Sequence, residues 1–336
     1  MVGAGRVAQV YMQAFAHCRE AELVAVADSC IEAAQAMGEK MRCPSYPDFR
    51  AMTKSCHLDA AIVCTPPASH PEVSIGLLNA GVHVLCEKPF SINARQALRM
   101  ADVARKNRLK LTMASKFRFV TDVIAAKSMV ASGMLGDLIL CENSFASRVD
   151  MCKRWNCVPE ISGGGVLIDN GTHSIDLMRY FLGPLSEIYV LEGTRTQGLP
   201  VEETVVALVH NSAGVIGSIN LSWSIDHPRS SFLNIYGSRG SISIGWKESK
   251  YRDYSVGKWA VFGSGYDKLQ AFRAQIENFS RAIRGVEPLL LTAEEAVSSV
   301  VIMEAAYLAL RRSQWIEIAV AEPIKHGNGL GTWAST

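Results

Sequence analysis

Gly3-Ala4-Gly5-Arg6-Val7-Ala8 fits the pattern G-x-G-x-x-G/A, which joins the first strand of a nucleotide-binding α/β fold to its first helix. In that pattern Gly3 would permit the tight turn, Gly5 would let the backbone approach a pyrophosphate, and Ala8 would let the helix pack closely on its strand. The amides and dipole at the start of the helix would then point at the phosphates. Because glycine turns before helices are common, this stretch alone predicts a dinucleotide site only weakly.

An acidic residue follows at the distance that such a site requires. Asp28 lies twenty residues beyond Ala8, at the end of the apolar run 23–27, where its carboxylate could accept both ribose hydroxyls of NAD. The same carboxylate would repel the 2′-phosphate of NADP, so the sequence favours NAD. The alternative is a plain strand-turn-helix unit in which Asp28 only caps a helix. Only Met1 and Val2 precede Gly3, where a strand of about five residues is usual, so either the first strand is short or the true start lies upstream.

Strand-like and helical segments alternate through the first third of the chain. Apolar runs typical of buried parallel strands occupy residues 23–27, 60–64, 82–85 and 109–113. Helical patterns lie between them, at 7–16, 31–41, 71–80 and 94–106. This alternation predicts a doubly wound parallel sheet, the Rossmann arrangement, in an α/β domain over residues 1–117.

The pattern changes after the first domain. A helix is predicted at 120–132, and helices return at 268–284 and 293–312. Between them lie six strand-like runs without intervening helices, at 138–145, 188–192, 204–209, 215–223, 232–236 and 241–245. We therefore expect a second, α+β domain over residues 118–336 with a largely antiparallel sheet, whose last helices could pack back on the first domain.

Composition limits the function classes. The chain has 336 residues, 49% of them hydrophobic and 20% charged, which suits two soluble domains. A net charge of only +2 predicts no general attraction to nucleic acid or anionic membranes. Nine scattered cysteines without a C-x-x-C pair indicate reduced thiols in a cytoplasm. No uncharged apolar run reaches the roughly 18 residues of a membrane span.

Four further stretches carry a family resemblance. They are Cys64-Thr65-Pro66-Pro67 with His70, Glu87-Lys88-Pro89, Lys116-Phe117-Arg118, and the run from Gly163-Gly164-Gly165 through Asp169 to His173. Together with the glycine turn they resemble the Gfo/Idh/MocA family of NAD(P)-dependent sugar and cyclitol oxidoreductases. The combination of E-K-P with G-G-G-x-x-x-D-x-G-x-H is specific to that family, whereas either element alone would be much weaker.

The resemblance implies a site and an assembly. The second domain would carry an open, mainly antiparallel sheet, through which we expect a homodimer or homotetramer. The family's catalytic positions fall on Lys88, Asp169 and His173. The expected cofactor-binding residues are Gly3, Gly5, Arg6, Val7, Asp28, Cys64, Thr65, Pro66, His70, Glu87, Lys88 and Arg118. The expected substrate-binding residues are Lys88, Arg118, Trp155, Asp169 and His173, with Arg148, Asn156 and Tyr236 as weaker candidates.

The chemistry of Lys88 leaves two roles open. It would lie at the carboxyl end of a parallel strand, where open α/β sheets bind ligands. A free lysine, with a pKa of about 10.4, is too basic for efficient proton abstraction at neutral pH unless burial or a nearby cation lowers that value. Its ammonium could instead polarise a carbonyl during reduction, and a solvated lysine beside a turn is the alternative without function.

Asp169 and His173 are four residues apart and on one helix would share a face. The aspartate could then orient the imidazole, leaving its other nitrogen to exchange a proton with a substrate hydroxyl. Asp176 falls near the same stripe. Two alternatives are a buried Asp–His pair that holds the helix to the sheet and an Asp/His/Asp metal site. We expect no metal, because sugar oxidation with NAD needs no Lewis acid and no second ligand cluster is evident.

The sequence thus favours an NAD-dependent dehydrogenase acting on a secondary alcohol of a sugar, amino sugar or cyclitol, with His173 or Lys88 taking the hydroxyl proton. Two other hypotheses are a regulatory sensor that binds NAD(H) without turnover and redox-neutral sugar chemistry on a tightly held NAD.

Overall fold

A computed structural model describes residues 1–319 of the chain, and its N-terminal part is a parallel sheet with helices. The strands are β1 (Val26–Ala27), β2 (Ser45–Tyr46), β3 (Ala60–Val63), β4 (His83–Cys86) and β5 (Leu111–Met113). The helices are α1 (Arg6–Phe15), α2 (Ile31–Met41), α3 (Phe49–Ser55), α4 (His70–Asn79) and α5 (Ala94–Lys106). β1 pairs with β2, and β3, β4 and β5 pair in that order, all in parallel. The predicted Rossmann domain is confirmed.

Val2 joins these two groups of strands. It forms parallel bridges to Val63 on one side and to Ala27 on the other. Its amide donates to the Ile62 carbonyl at 2.9 Å, and its carbonyl accepts from the Cys64 amide at 2.7 Å. The order across the sheet is therefore β2, β1, Val2, β3, β4, β5, which places the chain around Val2 at the centre. A very short first segment is enough to feed the glycine turn because it is hydrogen-bonded on both edges.

The C-terminal part is built on a nine-stranded sheet of order β13-β12-β11-β10-β6-β9-β8-β7-β14. Its strands are β6 (Leu138–Ala146), β7 (Leu185–Glu192), β8 (Thr204–Asn211), β9 (Ile216–Ser222), β10 (Ser231–Gly237), β11 (Gly240–Gly245), β12 (Ser249–Asp253), β13 (Trp259–Gly263) and β14 (Ile316–Glu317). Among the described strands of this sheet, β6 and β9 are the one parallel pair, so the prediction of a mainly antiparallel sheet is confirmed. The helices are α6 (Thr121–Ala131), α7 (Pro159–Ser162), α8 (Val166–Asp169), α9 (Gly171–Leu182), α10 (Lys268–Ile283) and α11 (Ala293–Arg312).

The last long helices contact the N-terminal sheet. Phe272 and Ile276 of α10 are buried together with Tyr11 of α1, and the rings of Tyr11 and Phe272 are 4.8 Å apart. Val297 and Val300 of α11 belong to the core that covers β4 and β5. These contacts fix helix α1, which follows the glycine turn, against the C-terminal part of the chain.

Several short elements differ from the sequence expectation. The predicted strand at 23–27 is ordered as a strand only at Val26–Ala27, and α3, β2 and the strands β12, β13 and β14 were not predicted. The expectation of strands without intervening helices is wrong between β6 and β7, where α7, α8 and α9 lie. Helix α3 has seven residues and starts at a cap, where the Asp48 carboxylate accepts from the Ala51 amide at 2.8 Å. β12 is mostly half-buried and β13 mostly exposed, and neither has the regular alternation of apolar residues by which strands are recognised. Within residues 1–319 no helix is long and apolar enough to cross a membrane.

Candidate active site

The glycine turn leaves room beside the start of α1. Gly3 has a φ of +96°, and a Cβ built on it would lie 2.6 Å from the Cys64 carbonyl carbon, so only glycine fits there. A Cβ on Gly5 would meet nothing within 4 Å. Gly5 is the N-cap of α1, and the first turn of that helix holds no acidic residue. Exposed Gly5 and Arg6 therefore border open space at a helix N-terminus, which suits a pyrophosphate.

Asp28 supports the turn and remains available to a ribose. Its Oδ2 accepts from the Ala4 amide at 2.6 Å, and its Oδ1 accepts from the Cys30 amide at 2.8 Å, just before α2. Cys30 is the N-cap residue of α2 and its side chain makes no capping bond, so Asp28 is not the helix cap of the alternative considered from the sequence. Each carboxylate oxygen can accept a second hydrogen bond, so the two amide contacts do not exclude the ribose contact. Gly3, Gly5, Arg6 and Asp28 together fit the phosphate and ribose end of a dinucleotide.

The loops after β3 and β4 are tied together by His70. This side chain is fully buried, with Nδ1 2.8 Å from the Pro89 carbonyl oxygen and Nε2 2.8 Å from the Thr65 carbonyl oxygen. Burial lowers the pKa of His70. The Thr65 hydroxyl accepts from Ser69 at 2.8 Å, and the buried Cys64 lies against Gly3. His70 thus positions the chain around Thr65 and Pro66 rather than presenting a free nitrogen to a ligand.

A buried hydrogen-bond chain reaches Lys88 from the C-terminal part. Gln275 of α10 donates to the Tyr11 hydroxyl at 2.8 Å, and that hydroxyl donates to Oε1 of Glu87 at 2.9 Å. The other Glu87 oxygen accepts from the Lys88 amide at 3.1 Å. Burial raises the pKa of Glu87, although the charge of Lys88 opposes this. Tyr11 and Gln275 were missed by the sequence analysis, because their role depends on helix packing and on no local motif.

Lys88 and Asp169 form the central ion pair of the site. Nζ of Lys88 lies 2.5 Å from Oδ1 of Asp169 and donates to the Asp169 carbonyl oxygen at 3.0 Å. The two side chains are 18% and 23% exposed, which leaves both within reach of a ligand. The pair joins the loop after β4 to the last residue of α8. It therefore links the N-terminal and the C-terminal parts of the chain at the site.

The glycine run positions Asp169 by allowing close approach of two side chains. A Cβ on Gly164 would overlap the Tyr307 hydroxyl, and one on Gly165 would overlap the Glu202 carbonyl oxygen. Oε1 of Glu202 accepts from the Gly165 amide at 2.9 Å, the Leu167 amide at 3.1 Å and the Tyr307 hydroxyl at 2.8 Å. The buried Glu202 carboxylate therefore anchors the start of α8, the helix that carries Asp169.

The expected pairing of Asp169 with His173 is wrong. Helix α8 ends at Asp169 and α9 begins at Gly171, so the two residues do not lie on one regular helix, and the Asp169 carboxylate bonds to Lys88 instead. His173 is 5% exposed and packs edge-on against the Phe117 ring at 5.1 Å. Its Nδ1 is buried without a hydrogen-bond partner in the described chain. Burial, reinforced by the charges of Lys116 and Lys88, holds the pKa of His173 well below its ordinary value, so the imidazole is neutral.

Arg118 occupies a buried ion network at the junction of the two parts. The residue is 2% exposed; its Nε donates to both oxygens of Asp176 at 2.9 Å, and its Nη1 donates to Glu295 at 2.8 Å. Ser115 also donates to Asp176. The guanidinium is therefore held by protein groups, and contacts of Arg118 with cofactor or substrate stay a prediction. Asp176 is turned to Arg118 rather than to His173, so the carboxylates of the Asp/His/Asp alternative have other partners.

Lys116 is a further cation at this site that the sequence analysis left without a role. Its Nζ lies 5.3 Å from the centre of the Phe117 ring and 5.9 Å from that of Phe272. Burial, followed by the charge of Lys88, lowers the pKa of Lys116 to about 8. The stretch Lys116-Phe117-Arg118 was recognised in the sequence, but only the fold shows that this lysine is enclosed beside His173 and Lys88.

Known proteins resemble both parts of this arrangement. Residues 1–115 match the model of the Gfo/Idh/MocA oxidoreductase family with an NAD-binding Rossmann fold, and residues 123–243 match the model of a Gfo/Idh/MocA C-terminal domain. The chain belongs to the Gfo/Idh/MocA family. It is an oxidoreductase, and its N-terminal domain is the family's NAD-binding domain.

Curated relatives and solved structures of this family extend the match. The rhizopine catabolism protein MocA of Rhizobium meliloti is 29% identical over 323 residues, which cover 93% of this chain and 94% of MocA. The D-glucoside 3-dehydrogenase of Escherichia coli is 36% identical over 187 residues, 54% of this chain and 53% of that enzyme. A levoglucosan dehydrogenase in complex with NADH and levoglucosan has a TM-score of 0.87 at 19% identity, covering 95% of this chain and 98% of that one.

A substrate role of Trp155 in this Gfo/Idh/MocA oxidoreductase, and of the weaker candidates Arg148, Asn156 and Tyr236, stays a prediction. Trp155 is 43% exposed in a short turn over Trp155–Cys157, and Arg148 is exposed. The Tyr236 hydroxyl donates to Glu142 at 2.9 Å on the face of the sheet opposite to Phe145 and the helices. Within residues 1–319, no hydrogen bond joins Trp155, Asn156 or Tyr236 to the catalytic candidates.

Proposed function

We propose that this oxidoreductase uses NAD to interconvert a secondary alcohol and a ketone on a sugar, amino sugar or cyclitol. The observation that carries the proposal is the meeting of the Lys88–Asp169 ion pair with the buried, neutral His173 at the carboxyl ends of the parallel strands. Such a site offers a hydrogen-bond donor and a proton acceptor to one substrate oxygen. The D-glucoside 3-dehydrogenase supports a sugar-like substrate by its name.

The phosphate and ribose end of the site, at Gly5 and Asp28, suits NAD better than NADP. The open space beside Gly5 and the acid-free start of α1 would take the pyrophosphate, and Asp28 would take the ribose hydroxyls. Both oxygens of Asp28 accept hydrogen bonds from backbone amides. These bonds hold the negative charge of Asp28 where a 2′-phosphate would have to lie. When bound, NAD supplies the nicotinamide that accepts or returns the hydride.

His173 is the better proton acceptor of the two candidates. Nζ of Lys88 donates to the Asp169 carboxylate at 2.5 Å and to the Asp169 carbonyl oxygen at 3.0 Å, which suits Lys88 as a donor rather than an acceptor. The His173 imidazole is neutral, and a neutral imidazole carries a lone pair on one ring nitrogen. Lys88 would then donate a hydrogen bond to the substrate oxygen, and Asp169 would hold that ammonium in place.

The outer face of the C-terminal sheet supports a homodimer or homotetramer. Val206 and Leu208 alternate with buried Val205 and Ala207 along β8, and Leu191 and Ile216 project on the same side of the sheet. These four side chains are 37–53% exposed, and an apolar sheet face of this kind is typical of a protein interface. Leu208→Asp should shift the sedimenting species to the monomer, and an unchanged sedimentation coefficient would contradict this interface.

The enzymatic proposal is tested by a sugar and cyclitol panel with NAD as acceptor. Lys88→Ala and His173→Ala should each bind NADH as tightly as the wild type, because neither residue lies at the phosphate or ribose end, yet lose orders of magnitude in turnover. Ser298→Ala is a control that should change neither, because Ser298 is half-buried on α11 and its hydroxyl bonds to the Glu294 carbonyl of the same helix. Near-normal turnover in both variants would contradict the assignment, and NADH binding with no turnover of any compound would favour a sensor.

A further inference from the structure

Lys116 has no ionic or hydrogen-bond partner within the described chain. Its ammonium contacts only the aromatic faces of Phe117 and Phe272, at 5.3 and 5.9 Å from the ring centres. Every other charged residue close to it has a protein partner or faces solvent: Glu87 accepts from Tyr11, Asp169 pairs with Lys88, and Lys268 is exposed. Among these described residues, Lys116 is therefore the one whose charge has neither a protein partner nor full exposure to solvent.

Lys116 is half-buried, so its ammonium has lost part of its hydration. Contacts with aromatic faces recover only part of that loss, and a partly desolvated ammonium without a protein acceptor favours an anionic ligand. The Phe117 ring contacts both the Lys116 ammonium and the His173 imidazole, which places the unpaired ammonium next to His173.

The phosphates of the cofactor do not account for Lys116. The pyrophosphate would lie at Gly5, where the α1 N-terminus and Arg6 already provide positive potential. Lys116 and His173 instead share contact with the Phe117 ring. We therefore assign Lys116 to the catalytic end of the site, where the substrate would bind.

We propose that Lys116 binds a carboxylate of the substrate, so that this enzyme acts on sugar acids in preference to neutral sugars. The inference rests on the proposed dehydrogenase function and narrows its substrate class. One unpaired ammonium matches one negative charge, and a charge-assisted hydrogen bond in a partly desolvated site is a strong contact. An amino sugar would instead bring a third cation beside Lys88 and Lys116.

The pH dependence follows from the groups around this lysine. Because the pKa of Lys116 is lowered to about 8, its ammonium is present at neutral pH and is lost as the pH rises through that value. The facing groups are Glu87 and Lys88 after β4, Asp169 at the end of α8, His173 on α9 and Lys268 on α10. KM for a sugar acid should therefore rise above a pH of about 8, whereas KM for the matched neutral sugar should not.

The experiment compares matched substrates and variants in the presence of NAD. D-glucuronate and D-galacturonate are measured against D-glucose and D-galactose, and glucose 6-phosphate tests a phosphate in place of the carboxylate. Lys116→Met should lower kcat/KM for the preferred sugar acid about 10- to 100-fold, the range of a hydrogen bond to a charged group, and should change that for the neutral sugar by less than about threefold. Lys116→Arg should retain the preference, and Lys268→Met, which removes a neighbouring but exposed charge, is the matched control.

Each outcome bears on either the inference or the function. Equal losses on acid and neutral sugars, or a weaker Kd for NADH in Lys116→Met, would overturn the inference, as would a preference for neutral or phosphorylated sugars. A melting temperature of Lys116→Met at or above that of the wild type shows that the variant folds. If no sugar is oxidised, the binding of the two uronates to the enzyme–NADH complex is measured instead. Binding that Lys116→Met abolishes supports the inference, although the dehydrogenase proposal then fails. Absence of binding overturns the inference.

Discussion

Gly3 and Gly5 lie two residues apart in one turn, and alanine should affect them in opposite ways. At Gly3 the φ of +96° is strained for alanine, and the new Cβ would lie 2.6 Å from the Cys64 carbonyl carbon and 2.9 Å from the Thr65 nitrogen. Backbone strain of about 1–3 kcal/mol and overpacking of about 1–3 kcal/mol add to a loss of roughly 2–6 kcal/mol in the free energy of unfolding. At about 2–4 °C per kcal/mol for a chain of this size class, Gly3→Ala should melt roughly 5–20 °C lower.

Gly5→Ala should leave the fold intact and weaken the binding of the cofactor. The new methyl group would meet no protein atom within 4 Å, and Gly5 has an extended backbone with φ −73° that alanine adopts. A gain of about 0.4–1 kcal/mol from a less flexible unfolded chain is offset by the poorer N-cap, so the melting temperature should move by only a few degrees. The methyl would however occupy the space of the pyrophosphate, and a steric cost of about 1–3 kcal/mol corresponds to a roughly 5- to 150-fold weaker Kd.

Thermal melting and titration with NADH, followed by fluorescence, measure both effects on the same samples. A Gly5→Ala variant that binds NADH like the wild type would refute the placement of the phosphates. A Gly3→Ala variant that melts like the wild type would refute the steric account of the turn.

Three other outcomes follow from the site. Asp169→Asn should reduce kcat about 10- to 100-fold, the scale of lost charge-assisted positioning, with an unchanged Kd for NADH, because only the counter-charge of Lys88 is removed; an equal loss in NADH affinity would contradict that role. Arg118→Met leaves the fully buried Asp176 without its ion-pair partner and should lower the free energy of unfolding by about 3–5 kcal/mol, as measured by denaturant titration. The double variant Arg118→Met/Asp176→Leu should recover much of this loss, and no recovery would argue against the buried-charge explanation. The free energy of unfolding should also fall as the pH drops below the ordinary histidine pKa of 6.5. The fold lowers the pKa of buried His173 and His70, so below that pH the unfolded chain binds more protons than the folded one. His173→Asn should reduce the slope of the free energy of unfolding against pH, and an unchanged slope would show that His173 is not the buried neutral group described.

The sequence was informative where a local pattern implies a definite geometry. The glycine turn followed by Asp28 predicted a parallel-sheet nucleotide site because the backbone conformation at Gly3 and the helix start at Arg6 depend on neighbouring residues only. The motifs also indicated that Lys88, Asp169 and His173 belong to one site. In the structure Lys88 meets Asp169 across 81 residues of chain.

The partners within the site depended on long-range packing and could not be read from spacing. The four-residue separation of Asp169 and His173 suggested a pair on one helix face, but the helix is interrupted between them and Glu202 with Tyr307 fixes the orientation of α8. Lys116 looks like any other lysine in the sequence. The role that we propose for it depends on the ring of Phe272, which packing of the distant helix α10 brings beside it.

Transfer of a label from substrate carbon to cofactor tests the central claim most directly. The enzyme is incubated with NAD and with sugars and sugar acids that carry deuterium on their carbinol carbons, and the NADH formed is analysed by mass spectrometry. A hydride transferred beside Lys88 and His173 must bring one deuterium onto the nicotinamide, and His173→Ala should slow its appearance by orders of magnitude. Tight NADH binding with no deuterium in the cofactor for any member of the panel would contradict the assignment as a dehydrogenase.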